Sequence, residues 1–335
     1  MPLDATRRSF FQGMFGSAAA VAVAQQALAQ QDSPNGLPTR RLGRTDEQVS
    51  ILCLGGWHIG AVENKDEAVR IMDAAIDEGM TFFDNAWDYH DGGSEEIMGR
   101  ALSRPGKRDK VFLMTKNCER DYEGSMRCLD DSLRRMRTDR IDLWQFHEMV
   151  YDSDPDWVFE KGGLKAALEA QKAGKVRYIG FTGHKDPSIH VKMLNKPYDW
   201  ASAQMPINVM DAHYRSFQKE AVPVCLSRDV GVIGMKSLGG GNPGQIPTKT
   251  SVSHEQCRRY ALSLPVSSLV VGILSMDELM AEIKIGRGFK PMADDQKAVL
   301  LSSVADIAGD GRHELFKSTQ RFDGPHHRKQ HGFAV

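Results

Sequence analysis

From about residue 40 onward, hydrophobic positions switch between two periods. Short apolar runs of three to six residues are each followed by a stretch in which apolar residues step by three and four, the spacing of one helical face. The first run, 49–54, ends at Gly55 and Gly56. Residues 64–78 then place Ala68, Ile71, Met72, Ala75 and Ile76 on one face, with Asn64 and Glu67 spaced as a capping box and Gly79 suited to the exit. Residues 81–83 and 111–115 predict the next two strands. Between them Ser94 is expected to cap a helix carrying Ile97, Ala101 and Leu102. Met126, Leu129, Leu133 and Met136 mark the third helix. Further strands are expected at 141–146, 176–181, 201–204, 230–235 and 269–271. The helices between and after them fall around 164–174, 188–195, 216–228, 254–263 and 276–285, with one more at 294–308.

This makes eight strand–helix units. Parallel strands need crossovers, which helices usually supply, and eight units favour a closed (β/α)8 TIM barrel over an open doubly wound sheet. No G-x-G-x-x-G follows the first strand, which argues against a dinucleotide-binding open sheet. A barrel of this kind needs about 250 residues. Residues 40–310 are therefore read as one barrel domain, residues 30–39, with Pro34, Gly36 and Pro38, as a linker, and residues 311–335 as a C-terminal tail.

Composition changes this picture little. The 335 residues are 41% hydrophobic and 26% charged, with a formal net charge of -1. No basic field points to nucleic acid or to an anionic membrane. The five cysteines, Cys53, Cys118, Cys128, Cys225 and Cys257, form no C-x-x-C pair and suggest neither a zinc site nor a disulfide framework. They are expected to be small buried apolar residues. The tail sequence His326-His327-Arg328-Lys329-Gln330-His331 could offer ligands to a transition metal but is read as a flexible polar extension, and no metal site is expected.

The N-terminus is different. Thr6-Arg7-Arg8-Ser9-Phe10-Phe11 resembles a bacterial twin-arginine export signal, followed by a weakly apolar stretch over 14–24 and the small-x-small site Ala27-Leu28-Ala29. The apolar stretch is shorter than the roughly 20 residues a spanning helix needs, so no stable membrane insertion is expected. The resemblance implies a signal peptide at 1–29, the twin-arginine translocase as a transient partner, and a periplasmic protein exported already folded.

Chemistry in such barrels collects where strands run into the following loops. The second strand runs into Asp84-Asn85-Ala86-Trp87-Asp88-Tyr89, the third ends in Lys116, and the fourth in His147. Asp84, Tyr89, Lys116 and His147 are thus aimed at one mouth. Asp-x-Ala-x-x-Tyr, then a strand-end Lys, then a strand-end His, resembles the catalytic tetrad of the aldo-keto reductases, and the likeness runs from about residue 40 to 290. It implies an oxidoreductase that reduces aldehydes or ketones with hydride from NADP(H) or NAD(H). Tyr89 would be the general acid, and Lys116 would lower its pKa from about 10. Asp84 would hold Lys116, and a neutral His147 would orient the carbonyl. His147, rather than a Glu at this position, favours carbonyl over carbon–carbon double-bond reduction; Glu148 is one position too late to replace it.

The resemblance also implies cofactor contacts: Gly56 and Trp57 in the first loop with Asp84 beside them, then Thr182 and Gln204 for the carboxamide. Lys236, Ser237, Leu238 and Gly239 would lie in the pyrophosphate loop, and Gly272, Ser275 and Glu282 toward the adenosine. The chain departs from the family in lacking the usual Asn after Thr182. It also lacks an Arg or Lys just after Gly272, which leaves NAD open beside NADP. Trp57, Trp87, Tyr122 and Tyr151 are expected at the substrate pocket for a small-molecule carbonyl. An alternative is a nicotinamide-binding regulatory or redox-sensing module with little turnover, since this fold also serves that role. A metal-dependent hydrolase using Asp84 and His147 is disfavoured, because a carboxylate held by an ammonium is a poor metal ligand.

Overall fold

The computed structural model describes residues 28–31, 36–241 and 243–335, so nearly all of the expected export signal lies outside the described residues. The chain enters through a three-stranded antiparallel sheet: β1 (Gln30–Gln31), β2 (Thr39–Arg41) and β3 (Gln48–Ser50). Part of the expected linker is therefore structured, with Gln30 opposite Arg40 and Gln31 opposite Thr39. The single strand expected over 49–54 is two strands. The chain bends at Ser50, whose hydroxyl accepts from the Thr81 and Phe82 amides and donates to the Leu52 carbonyl, and β4 (Leu52–Gly55) then enters a different sheet.

That second sheet is the barrel. β4, β5 (Phe82–Asp84), β6 (Phe112–Asn117), β7 (Ile141–Phe146), β8 (Val176–Thr182), β9 (Ser202–Pro206), β10 (Gly231–Met235) and β11 (Ser268–Val271) pair in chain order, all parallel, and β11 closes onto β4. The expected (β/α)8 architecture is what forms. Its helices match the 3.6-period pattern closely: Lys65–Asp77, Tyr122–Arg135, Phe217–Ser227, His254–Leu262 and Asp294–Ala308 among them. Asn64 caps the first of these by accepting from the Asp66 and Glu67 amides. Ser94 does not cap its helix. The helix Gly93–Leu102 starts two residues earlier than that cap requires, behind Gly92 at φ 89°, and the Ser94 hydroxyl instead donates to the Gly56 carbonyl.

One end of the barrel is sealed. Cys53, Phe82, Met114, Leu143, Ala201 and Ile233 pack together with Val49 of the entry sheet and Leu42, which follows β2. A hydrophobic plug at that end leaves polar chemistry to the opposite end, where strands meet βα loops. Strand side chains alternate with period two. Asp84 follows Phe82 by two residues, Lys116 follows Met114 by two, and His147 lies four beyond Leu143, so each of these three residues rises above a plug residue on the same face.

The tail is not a flexible extension. Residues 311–335 fold back over the mouth with two short helices, Leu315–Ser318 and Pro325–Gln330. Phe316 and Lys317 are fully buried. The Lys317 ammonium donates to Asp211 at 2.7 Å, to Glu314 at 3.1 Å and to the Tyr214 carbonyl at 2.8 Å. Asp323 accepts from Lys185 and from the Tyr151 hydroxyl. The tail reads as polar, but its charges pair with polar groups on the barrel rim, and that pairing holds it down.

Candidate active site

Register places the tetrad on three neighbouring strands. Asp84 pairs with Met114 across β5 and β6, and Lys116 pairs with Gln145 across β6 and β7. Lys116 is 1% exposed and Asp84 3%. The Lys116 ammonium contacts the Asp84 carboxylate, donates to the Asn85 carbonyl at 2.6 Å and lies 3.3 Å from the Tyr89 hydroxyl. It also sits 4.7 Å from the centre of the Tyr89 ring. The His147 ring packs edge-on to Tyr89 at 5.6 Å between centroids, and Trp57, 52% exposed, packs edge-on from the other side at 5.4 Å. All four residues singled out by pattern thus meet at one point.

The electrostatics differ from the sequence expectation. Burial pushes the Tyr89 phenol well above its ordinary value, and Asp84, Asp88 and Glu148 push the same way. The Lys116 charge does not reverse this, because the Asp84 carboxylate beside it offsets it. Tyr89 is therefore held as a neutral acid at neutral pH. Burial likewise raises the Glu148 carboxyl to about 7. Glu148 adopts φ 48° and accepts from the Gly324 amide of the tail at 2.8 Å. Lys236 is at φ 54°. Left-handed backbone at non-glycine residues is uncommon and gathers at functional sites.

His147 is positioned from behind by residues the pattern did not single out. Arg120, 2% exposed, donates to the His147 and Glu148 carbonyls at 2.7 and 3.1 Å and to Asp154 at 3.0 Å. The His147 Nδ1 faces Cys118 Sγ at 3.3 Å and Asp88 Oδ1 at 3.1 Å. Burial opposes ionisation of Asp88, yet His147 and His327 hold its carboxyl well below the usual range. Cys118 was legible in principle, since it lies two residues beyond Lys116 on the same strand face. His327, in the tail, carried no such signal.

The expected cofactor positions form a continuous rim. Thr182 pairs with Gln204 across β8 and β9. Both are buried, and the Gln204 Oε1 has no hydrogen-bond partner among the described residues. A buried acceptor left free beside a hydroxyl suits a carboxamide. Gly239, Gly240 and Gly241 take φ of 82°, 75° and 78° in succession, backbone that only glycine adopts readily. Beside them a cavity of about 360 Å³ is lined by Gly241, Gln245, Lys249, Arg321 and Phe322 among others. The Lys236 ammonium faces the Phe316 and Phe322 rings and meets Met235 Sδ at 4.0 Å. Among the described residues it has no carboxylate at ion-pair distance, and burial lowers its pKa to about 8. A cation with no carboxylate at ion-pair distance, beside a glycine loop, suits a phosphate. At Gly56 a Cβ would fall 2.5 Å from the Asp84 carbonyl, and at Gly272 2.4 Å from His58 Nδ1, so neither tolerates a side chain. Ser275 spends its hydroxyl capping the helix Met276–Arg287. Ser237 and Glu282 are joined by Arg258, a buried cation the sequence reading missed, which donates to both.

Of the expected pocket aromatics, Trp57 stands at the mouth. Tyr122 does not. Its hydroxyl donates to Glu169 at 2.6 Å and Lys165 lies over its ring, both on the neighbouring helix Gly163–Lys172. Tyr151 is covered by the tail residues His331 and Phe333. Trp87 lies against Arg135 and His326 and donates to Asp131.

Comparison with known proteins agrees with this geometry. The sequence model described as the aldo/keto reductase family matches residues 51–259. The chain belongs to the aldo/keto reductase family. An uncharacterized oxidoreductase of Bacillus subtilis, YrpG, is 31% identical over 245 residues, 66% of this chain and 72% of that protein. The aldo-keto reductase AFTS1 of Alternaria alternata is 30% identical over 258 residues, 64% of this chain and 68% of that one. Among solved structures, an aldo-keto reductase of Bacillus halodurans in its holo form superposes with a TM-score of 0.68 at 24% identity, over 82% of this chain and 99% of that one. One from Klebsiella pneumoniae, in complex with NADP and acetate, gives 0.64 at 22% identity, over 78% and 93%. As a member of this family the protein is a nicotinamide-dependent oxidoreductase of carbonyl compounds.

Proposed function

We propose that this aldo/keto reductase reduces an aldehyde or ketone to the alcohol, with Tyr89 delivering the proton. The observation that carries the reading is the Tyr89 hydroxyl, 3.3 Å from a Lys116 ammonium that Asp84 holds in place. The bound nicotinamide would supply the hydride to the carbonyl carbon. Gln204 and Thr182 would hold its carboxamide, and Lys236 with Gly239–Gly241 its phosphates. Hydride addition leaves charge on the carbonyl oxygen, which Tyr89 neutralises by giving up its phenolic proton. Lys116 then stabilises the phenolate until solvent restores the proton. His147, packed edge-on against Tyr89, would hydrogen-bond the same oxygen through Nε2 and orient the carbonyl.

Oxidation of NADPH and NADH is followed side by side with a panel of small aldehydes and ketones. Tyr89→Phe is expected to lower turnover by about two to four orders of magnitude, the usual weight of a positioned acid, while cofactor still binds. Turnover retained in Tyr89→Phe would remove the assignment. Cofactor that binds without turnover of any carbonyl in the wild type would favour the binding-module alternative.

The N-terminal pattern supports export of the folded protein through the twin-arginine translocase to the periplasm, with cleavage after Ala29. A C-terminally tagged chain is expected in the periplasmic fraction beginning at Gln30. A cytosolic chain with residues 1–29 intact would end this proposal.

A further inference from the structure

The tail helix Pro325–Gln330 carries His327 down onto the catalytic mouth. Its ring lies 5.2 Å from the His147 ring and the residue is 1% exposed, yet neither of its nitrogens has a hydrogen-bond partner among the described residues. A fully buried imidazole with both nitrogens unpaired is costly unless something else satisfies it. His327 Nε2 is 4.0 Å from Asp88 Oδ2. Asp88 Oδ1, also without a hydrogen-bond partner of good geometry among the described residues, is 3.1 Å from His147 Nδ1, and Cys118 Sγ is 3.3 Å from the same nitrogen. One ligand atom from each of these four residues lies within 4.8 Å of all the others.

We propose that Asp88, Cys118, His147 and His327 form a zinc site that couples the C-terminal tail to the catalytic histidine. The donor set is one thiolate, two imidazoles and one carboxylate, which are the ligand types zinc takes in four-coordinate sites. Metal–ligand distances of about 2.0–2.3 Å put tetrahedral ligands roughly 3.3–3.7 Å apart. Two of the contacts are already close to that range, and the remainder need closing shifts of about an ångström. On binding, the Cys118 thiol releases its proton to solvent, and the dication is balanced by the thiolate and the Asp88 carboxylate. Borderline N, S and O donors also accept cobalt(II), which gives a spectroscopic probe.

The site has a chemical consequence, and on this point it rests on the reductase reading above. A neutral His147 that donated from Nδ1 to Asp88 would leave Nε2 as an acceptor, unable to bind a carbonyl oxygen. A metal on Nδ1 forces the proton onto Nε2 and makes that nitrogen the donor. The same ion would pin the tail across the mouth, making His327 and its helix a wall of the substrate pocket.

The test uses the full chain as purified and measures metal, not turnover. The expected wild-type result is one zinc per chain after desalting, held against a colorimetric chelator. Cobalt(II) should give tetrahedral visible bands and a thiolate-to-cobalt band in the near ultraviolet. His327→Ala and Cys118→Ser should each weaken zinc by more than the roughly 10- to 100-fold that a lost outer partner costs, and Cys118→Ser should lose the near-ultraviolet band. Circular dichroism of both variants in chelator should match that of the wild type in chelator, which separates a lost ligand from a lost fold. Amide exchange over residues 312–335 should slow when zinc is added to wild type but not to His327→Ala. Tyr89→Phe should bind zinc as wild type does, so failure of the reductase reading and failure of the metal site are distinguishable. Wild type that holds no more zinc than His327→Ala, or cobalt without a thiolate band, would overturn the proposal.

Discussion

At the scale of single residues, this site is governed by which charges are already paired. Lys116 and Asp84 offset one another in contact, so Lys116 acts on Tyr89 as a positioned donor more than as a free charge. Lys236 is the reverse case, a partly buried ammonium beside two aromatic rings and a sulfur, with no carboxylate at ion-pair distance among the described residues. A phosphate there would gain a charge-assisted hydrogen bond, worth about 1.5–3 kcal/mol. Lys236→Met is therefore expected to raise the cofactor dissociation constant by roughly tenfold or more. The loss should be similar for NADH and NADPH, because the charges acting on Lys236 are those of Glu148, Lys116 and Asp84 at the catalytic end of the groove. Titration of intrinsic fluorescence with each cofactor reads this directly. A loss confined to NADPH would move Lys236 to the adenosine 2′-phosphate instead.

Among the elements, the tail departs most from what its composition suggests. Lys317 has no exposure and binds Asp211 and Glu314, which are buried as well. Removing one partner of a buried charge cluster leaves the others uncompensated, at a cost of about 3–5 kcal/mol. Lys317→Met should therefore release residues 311–335 rather than unfold the barrel. The expected readout is faster amide exchange confined to the tail and the rim around Asp211, with protection of β6 and β7 retained. Uniform loss of protection across the barrel would mean that the tail and barrel unfold as one unit. The glycine loop makes a smaller, independent case. Gly240 at φ 75° has Phe316 and Phe322 within 3.3–3.5 Å of where a Cβ would stand. Gly240→Ala should cost about 1–2 kcal/mol in backbone strain, read by denaturant titration.

The whole molecule carries a pH dependence of stability written by burial. His190 sits between Phe181 and Phe217 with one nitrogen on the Gln204 carbonyl, and burial lowers its pKa to about 4. The unfolded chain would take up that proton near pH 6.5, about the ordinary value. Between these two values the unfolded state binds more protons than the native one, so stability falls as pH falls through that window and levels off below it. The loss from this group is about 3 kcal/mol. Urea unfolding at pH 7 and at pH 4.5 measures it, and His190→Asn should flatten the slope. An equal slope in the variant would assign the effect to other groups. No helix among the described residues is long and apolar enough to cross a membrane.

Local pattern by itself determined the eight strand–helix units, because the periods of 2 and 3.6 are properties of each short segment. It also determined that Asp84, Tyr89, Lys116 and His147 share one mouth, because parallel strands present all their C-terminal ends together. It separated Val49 from Cys53 less well, since an apolar run looks the same whether it stays in one sheet or bends at Ser50 into another. Tertiary structure alone decided where the tail goes. His327 reaches His147 across 180 positions of sequence, and no periodicity spans that distance. It likewise sent Tyr122 to a helix–helix contact, because a tyrosine beyond a strand end can turn toward either face. It also set the acid strength of Tyr89, because burial and three converging carboxylates depend on what surrounds the phenol and not on the residues beside it in the chain.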